Sequence, residues 1–271
     1  VKTSATWTTA IRPRTCSPLW RKPPESWKAR LEAACRFPGG SYSPELFFRA
    51  DDIGAGGRAF HALCDLFRKH GVPLALAVVP AWLSRSRVDQ LFQSAPLEED
   101  LWGWHQHGWR HVNWQKTGKK SEFGEQRPLD KQWKDIWQGS NKMKEIFGER
   151  ALPVFTPPWN RFSDATLVVL EQLGFEAIST TEHLPRNSKA AKSLTNLRIL
   201  VDLHTRKGDD PEQDYEKLLR ELSGALARKE PVGIMIHHQR MTPFAFQFLD
   251  AFLEIVRQNK PDAFRHLSDL I

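Results

Sequence analysis

The residues of this chain best placed to act together chemically are a pair of carboxylates, a run of histidines and a later histidine pair. Asp51 and Asp52 stand side by side directly after the apolar run LFFRA (46–50). Adjacent residues leaving a strand point in different directions, so one carboxylate can ligate a metal while the other faces a water beside it. The pair equally suits a helix cap, where Asp is a favoured residue. In HQHGWRH (105–111), His107 and His111 are four apart. A helical turn at that spacing carries both imidazoles on one face, within reach of a common ion. An isolated histidine is usually structural, but three within this short stretch, beside Trp109, argue for a metal. His105 is either a third imidazole ligand or a residue that packs and orients. Two imidazoles and one carboxylate leave coordination positions open for water and substrate, as a catalytic ion requires. That donor set suits Zn first, and also Fe, Co or Ni.

Three further segments carry polar residues at the ends of apolar runs. FTPPWN (155–160) sets Pro158, Trp159 and Asn160 in a turn made rigid by proline, where a backbone N–H such as that of Trp159 can point at a developing oxyanion. An ordinary rigid turn accounts for the same residues. IMIHH (234–238) brings His237 and His238 out of an apolar run, and imidazole titrates near neutrality, as a general acid should. RILVDLH (198–204) ends in Asp202 and His204.

The elements that must position these residues alternate. Strands are predicted at 46–50, 74–80, 101–105, 154–158, 177–180, 198–204 and 232–238. Helices are predicted from about Phe60 to Gly71 and over 128–147, 164–173, 211–228 and 243–258. About seven strands alternating with helices is the pattern of a parallel α/β fold, either a barrel or a doubly wound sheet. The polar residues fall where strands stop, and in a β/α barrel those ends share one rim. Residues 1–44, rich in Pro, Ser, Trp and basic side chains with one helical stretch near 25–35, are read as an N-terminal arm packed on a domain spanning 45–271.

Composition bounds the function classes. Hydrophobic residues make up 40% and charged residues 26%, as in a soluble globular protein. No apolar run approaches the roughly 20 residues that span a membrane, and the first segment lacks the apolar core of a secretory signal. Three cysteines without C-x-x-C spacing suggest neither a disulfide framework nor a cysteine zinc site, so the default expectation is a cytoplasmic protein. The net charge of +7 favours an anionic partner, but the basic residues are dispersed in sequence and show no stripe for nucleic acid, which ranks last. Eleven tryptophans favour a carbohydrate ligand, since aromatic faces stack on sugar rings.

The ordered set DD, H-G-W-R-H, P-P-W-N, V-D-L-H and I-M-I-H-H resembles the polysaccharide deacetylase family (carbohydrate esterase family 4, NodB-type) over roughly residues 46–240. The resemblance implies a distorted (β/α)7 barrel with catalytic residues at the carboxyl ends of its strands, and metal-dependent hydrolysis of N- or O-acetyl groups. It implies Asp51 as general base, Asp52, His107 and His111 as metal ligands, His237 as general acid, and Trp159 at the oxyanion position. Three residues depart from the family pattern. Thr156 stands where the family has an Arg that tunes the base, with Arg161 close by as a substitute. Asp202 resembles the acid that pairs with that Arg, yet His204 beside it is unexpected. His238 occupies a place more often acidic. These departures leave the substrate as a carbohydrate or another small polar acylated molecule. They also keep two other readings open: an amidohydrolase acting on a small cyclic amide or ureide, and a glycan-binding member with impaired catalysis.

Overall fold

The computed structural model describes residues 11, 13–36 and 44–271. The rest of the 1–44 segment lies outside the described residues. Seven strands form a closed, all-parallel barrel in sequence order: β1 Leu46–Ile53, β2 Leu74–Val78, β3 Trp102–His107, β4 Ala151–Thr156, β5 Ala177–Thr180, β6 Thr195–Asp202 and β7 Val232–Ile236, with β7 pairing back onto β1. The barrel expected from strand-end chemistry is therefore the observed one.

Among the described residues eight α-helices surround it: α1 Trp27–Ala34, α2 Arg58–His70, α3 Arg85–Ser94, α4 Leu129–Phe147, α5 Asp164–Gln172, α6 Lys189–Lys192, α7 Pro211–Leu226 and α8 Pro243–Asn259. The sequence reading passed over α3 and α6. The first presents a mostly polar run, RSRVDQLFQS, which buries only Leu91 and Ser94, and the second is a single turn. The outer core lies between strands and helices and is built on Phe48, Leu76, Phe67, Leu218, Phe248 and Phe252. On the β6–β7 side, Trp20 is fully buried and donates its indole N–H to Leu203 O at 2.8 Å, while the Tyr215 hydroxyl donates to Trp27 O at 2.6 Å.

Inside the barrel, alternate strand residues stack in layers. Phe47, Val154, Leu197 and Ile199 form an apolar floor with Leu267 from the C-terminal segment. Gly233 pairs in register with Phe47, and a Cβ there would lie 2.5 Å from both Phe47 Cζ and Ile199 Cδ1, so only glycine leaves room for that layer. Two residues further along the same inward faces come Arg49, His105 and Met235. Two further still come Asp51, His107 and His237. Strand periodicity thus carries β1, β3 and β7 from the barrel floor to a polar rim.

Candidate active site

Asp51 and Asp52 both reach the site because the strand breaks its own alternation. The β1–β2 register shifts between Ala50 and Ile53, and Asp52 has φ +61°. Asp tolerates that left-handed geometry better than most residues. Neither carboxylate caps a helix: the residue before α2 is Gly57. Of the five non-glycine residues with positive φ among the described residues, Asp52, His111, Trp159 and Asn160 all lie at this site. Backbone strain of this kind costs on the order of 1–3 kcal/mol per residue and concentrates where function over-determines geometry.

Asp52, His107 and His111 converge. Asp52 Oδ1 lies 3.3 Å from His107 Nε2 and 3.2 Å from His111 Nε2, and one ligand atom from each residue falls within 4.8 Å of the others. Oδ1 is buried and makes no hydrogen bond despite that proximity. Three donor atoms meeting without satisfying one another fit a shared cation. His107 Nδ1 donates to Thr156 O at 3.0 Å, which leaves the Nε2 lone pair directed at the site. Burial raises the Asp52 carboxyl, but the imidazoles of His107, His111 and His237 outweigh it and hold it below its usual range. Burial, followed by the neighbouring His107, lowers His111 to about 4, so it stays neutral and able to ligate.

The expected helical turn between the two histidines is absent. His107 ends β3, and Gly108 and His111 both adopt left-handed φ, +59° each. The loop closes on a buried carboxylate instead. Glu122 accepts the backbone N–H groups of Trp109 (3.3 Å), Arg110 (2.8 Å) and His111 (3.1 Å). A Cβ on Gly108 would sit 2.4 Å from Glu122 Oε2 and 2.5 Å from Pro158 Cγ. Glu122 was not singled out from sequence; one of two Glu in a Lys-rich loop carries no visible signal.

Arg49 was missed as well, and it brings a guanidinium to Asp51 although residue 156 is Thr. It is fully buried, with Nε donating to Asp51 Oδ1 at 2.7 Å and Nη2 to Asp51 Oδ2 at 2.9 Å. Its other N–H groups reach Ser179 O and Oγ, Asn160 Oδ1 and Met235 Sδ. Burial pushes the Asp51 carboxyl up, but Arg49, then His107 and His237, hold it below the usual carboxylate range. Arg161 is not the substitute, because its Nη1 donates to Lys120 O. Nor does Asp202 pair with the arginine: its oxygens accept the N–H groups of His204 and Thr205 and the Thr205 hydroxyl. The signal for Arg49 was a charged residue inside an apolar strand, two before Asp51 and so on the same face.

His105 lies one layer below His107. Its Nδ1 donates to Gly103 O at 3.2 Å and its Nε2 accepts from the Thr156 hydroxyl at 3.0 Å, so both nitrogens are used and it is not a third ligand. Burial lowers it to about 3. His237 follows β7, with Nε2 4.0 Å from Asp52 Oδ2. Its backbone N–H donates to Nδ1 of the buried His204, which gives that histidine a bracing role. His238 is buried beside Phe60, with burial lowering it to about 4. Trp159 packs its indole 4.3 Å from the His111 ring, and the Asn160 side-chain oxygen is committed to Arg49.

Residues 48–178 match the family model for polysaccharide deacetylase. No curated protein matches the sequence. Among solved structures, a Mycobacterium smegmatis protein provisionally named a polysaccharide deacetylase aligns at 15% identity and TM-score 0.58, over 87% of this chain and 92% of that one. The Xyl-CE4 domain of a multidomain xylanase from the hindgut metagenome of Trinervitermes trinervoides aligns at 9% identity and TM-score 0.54, over 84% and 90%. A CE4 family pseudoenzyme from Bacillus anthracis aligns at 12% identity and TM-score 0.53, over 86% and 67%. At these identities the structural likeness speaks to the fold alone. Among the described residues no helix is long and apolar enough to cross a membrane. The stretch that matches the polysaccharide deacetylase family model, residues 48–178, carries Asp51, Asp52, His107, His111 and Trp159, and it lies within the closed seven-stranded barrel.

Proposed function

We propose that this protein is a metal-dependent hydrolase that removes an N- or O-acetyl group from a carbohydrate or a similar polar substrate. The observation that carries this reading is the convergence of Asp52, His107 and His111, with Asp51 and His237 flanking the same point. A divalent ion held by those three residues, Zn first among candidates, supplies Lewis acidity: it polarises an acyl oxygen and lowers the pKa of water from about 15.7 to roughly 7.

The chain's own residues do the rest. Asp51, kept ionised and oriented by Arg49, takes the proton of the attacking water. His237 delivers a proton from its imidazole to the departing nitrogen or oxygen. The backbone N–H of Trp159 stabilises the developing oxyanion, its position set by the left-handed turn after Pro158. General acid–base steps of this kind contribute about 10²–10⁴-fold each. The Arg49 guanidinium on Asp51 supports a working base over a catalytically impaired glycan-binding member, although residue 156 is Thr.

The test is acetate release by the purified full chain from acetylated oligosaccharides and an aryl acetate, before chelation, after it, and after Zn is restored. Release that vanishes on chelation and returns with Zn supports the proposal. Turnover of a cyclic amide with no acetate released from any ester or amide would instead select the amidohydrolase reading.

A further inference from the structure

A cleft of about 450 Å³ opens beside the metal ligands, lined by Asp52, Gly54, Gly56, Trp82, Arg87 and Gln239. Its walls are unlike one another. Gln239 is fixed by donating to Asp52 O at 2.8 Å, and the Trp82 indole N–H donates to Arg110 O at 3.2 Å, holding its ring 5.9 Å from that of His111. A flat indole face suits the C–H face of a pyranose ring. Arg87 donates Nη1 to Trp82 O at 2.6 Å, which seats the guanidinium at the cleft wall. Elsewhere on the same rim, Arg127 and Arg206 are neutralised by Asp135 and Glu221, whereas Arg87 has no carboxylate partner among the described residues. His238 also lines the cleft, and its buried Nδ1 lacks a hydrogen-bond partner.

The surrounding charge has the same sign. The loops leaving the carboxyl ends of the strands carry Arg110, Lys116, Lys119, Lys120, Arg161 and Arg240, in excess over the Glu125, Glu182, Asp209 and Asp210 of the same loops, while the loop entering β3 from the opposite end carries Glu98, Glu99 and Asp100. Basic residues that are dispersed in sequence are gathered by the barrel onto the face that holds the site.

We infer that Arg87 is a specificity-determining residue and that the substrate is an acidic glycan, with a carboxylate or phosphate on the sugar that occupies this cleft. This rests on the deacylase reading. The guanidinium presents a planar fork that matches either anion, and Trp82 holds the ring beside it.

The test is equilibrium binding of the full chain, by calorimetry, to three probes: an oligouronate, a phosphorylated oligosaccharide and the carboxyl-reduced neutral counterpart of the first. The wild-type chain is expected to prefer one or both anionic probes by about ten-fold, an advantage that shrinks with added salt. Arg87→Gln should bring the preference close to unity, and Arg87→Lys should keep part of it, since it retains charge without the fork. Equal binding of all three probes, no binding of any, or a preference unaltered in Arg87→Gln overturns the inference. Acetate release from the neutral aryl ester, run on the same preparation, separates the two readings. If acetate is released but no anion preference appears, the acidic-glycan inference fails and the hydrolase reading stands. If the preference appears without acetate, the hydrolase reading fails and the cleft stands as a binding site.

Discussion

Arg49 and Asp51 are two residues apart on one strand, face the same interior, and meet through two hydrogen bonds of 2.7 and 2.9 Å at the top of the barrel core. A buried guanidinium is tolerable there only because the carboxylate and four further acceptors take its N–H groups. The pairing brings a guanidinium to Asp51 from β1, while residue 156, where the resemblance calls for an arginine, is Thr.

Replacing Arg49 with Met should therefore cost about 3–5 kcal/mol in chemical denaturation, since it strands a buried carboxylate. Arg49→Lys keeps a charge and tests the chemistry instead. Asp51 is held below its usual range by Arg49, so weakening the pair raises it, and the acid limb of kcat/KM should move to higher pH. The stability that ionised Asp51 contributes is complete above the ordinary carboxylate range and is lost as pH falls below it. An acid limb that stays in place in Arg49→Lys contradicts this role.

Glu122 holds the loop that carries His111. Glu122→Gln turns one acceptor into a donor facing backbone N–H groups. It should weaken Zn binding by roughly 10–100-fold, the usual scale for groups that orient ligands. Gly108→Ala should do the same, because its Cβ would strike Glu122 and Pro158. A competition titration against a chelator measures both, and unaltered affinity in the two variants would show that the loop needs no such anchor.

Buried neutral histidines make the fold acid-sensitive. Burial lowers His105 to about 3 and His238 to about 4, so their contribution is full above pH 6.5 and is lost as pH falls toward those values. The denaturation midpoint should fall between pH 6.5 and 4, less steeply in His105→Gln. That variant should also still bind its metal, since both nitrogens of His105 already have partners. A midpoint flat across this window would refute the assignment.

Much of the site was legible because polar residues at the ends of apolar runs are conspicuous. Asp51, Asp52, His107, His111 and His237 all stand where an apolar strand stops, and parallel closure brings those ends together. Arg49 was hidden inside the run LFFRA, because its inward direction acquires meaning only once the barrel closes around it. The histidine spacing pointed to the right residues through the wrong geometry. Four residues apart suits a helical turn, but Gly108 and His111 in left-handed conformations close the same distance around Glu122. Long-range partners decide such loops, and a one-dimensional pattern does not contain them. The same holds for Asp202, whose oxygens are spent on its own turn.

In the proposed mechanism Asp52, His107 and His111 hold one catalytic ion while Asp51 takes the proton of the attacking water. Elemental analysis of the dialysed full chain, paired with acetate release, tests it most directly. The wild-type chain should retain about one divalent ion. Asp52→Ala and His107→Ala should lose the ion and turnover together, and Asp51→Asn should keep the ion and lose turnover. Unaltered metal content in Asp52→Ala and His107→Ala, or full turnover in Asp51→Asn, would contradict the account.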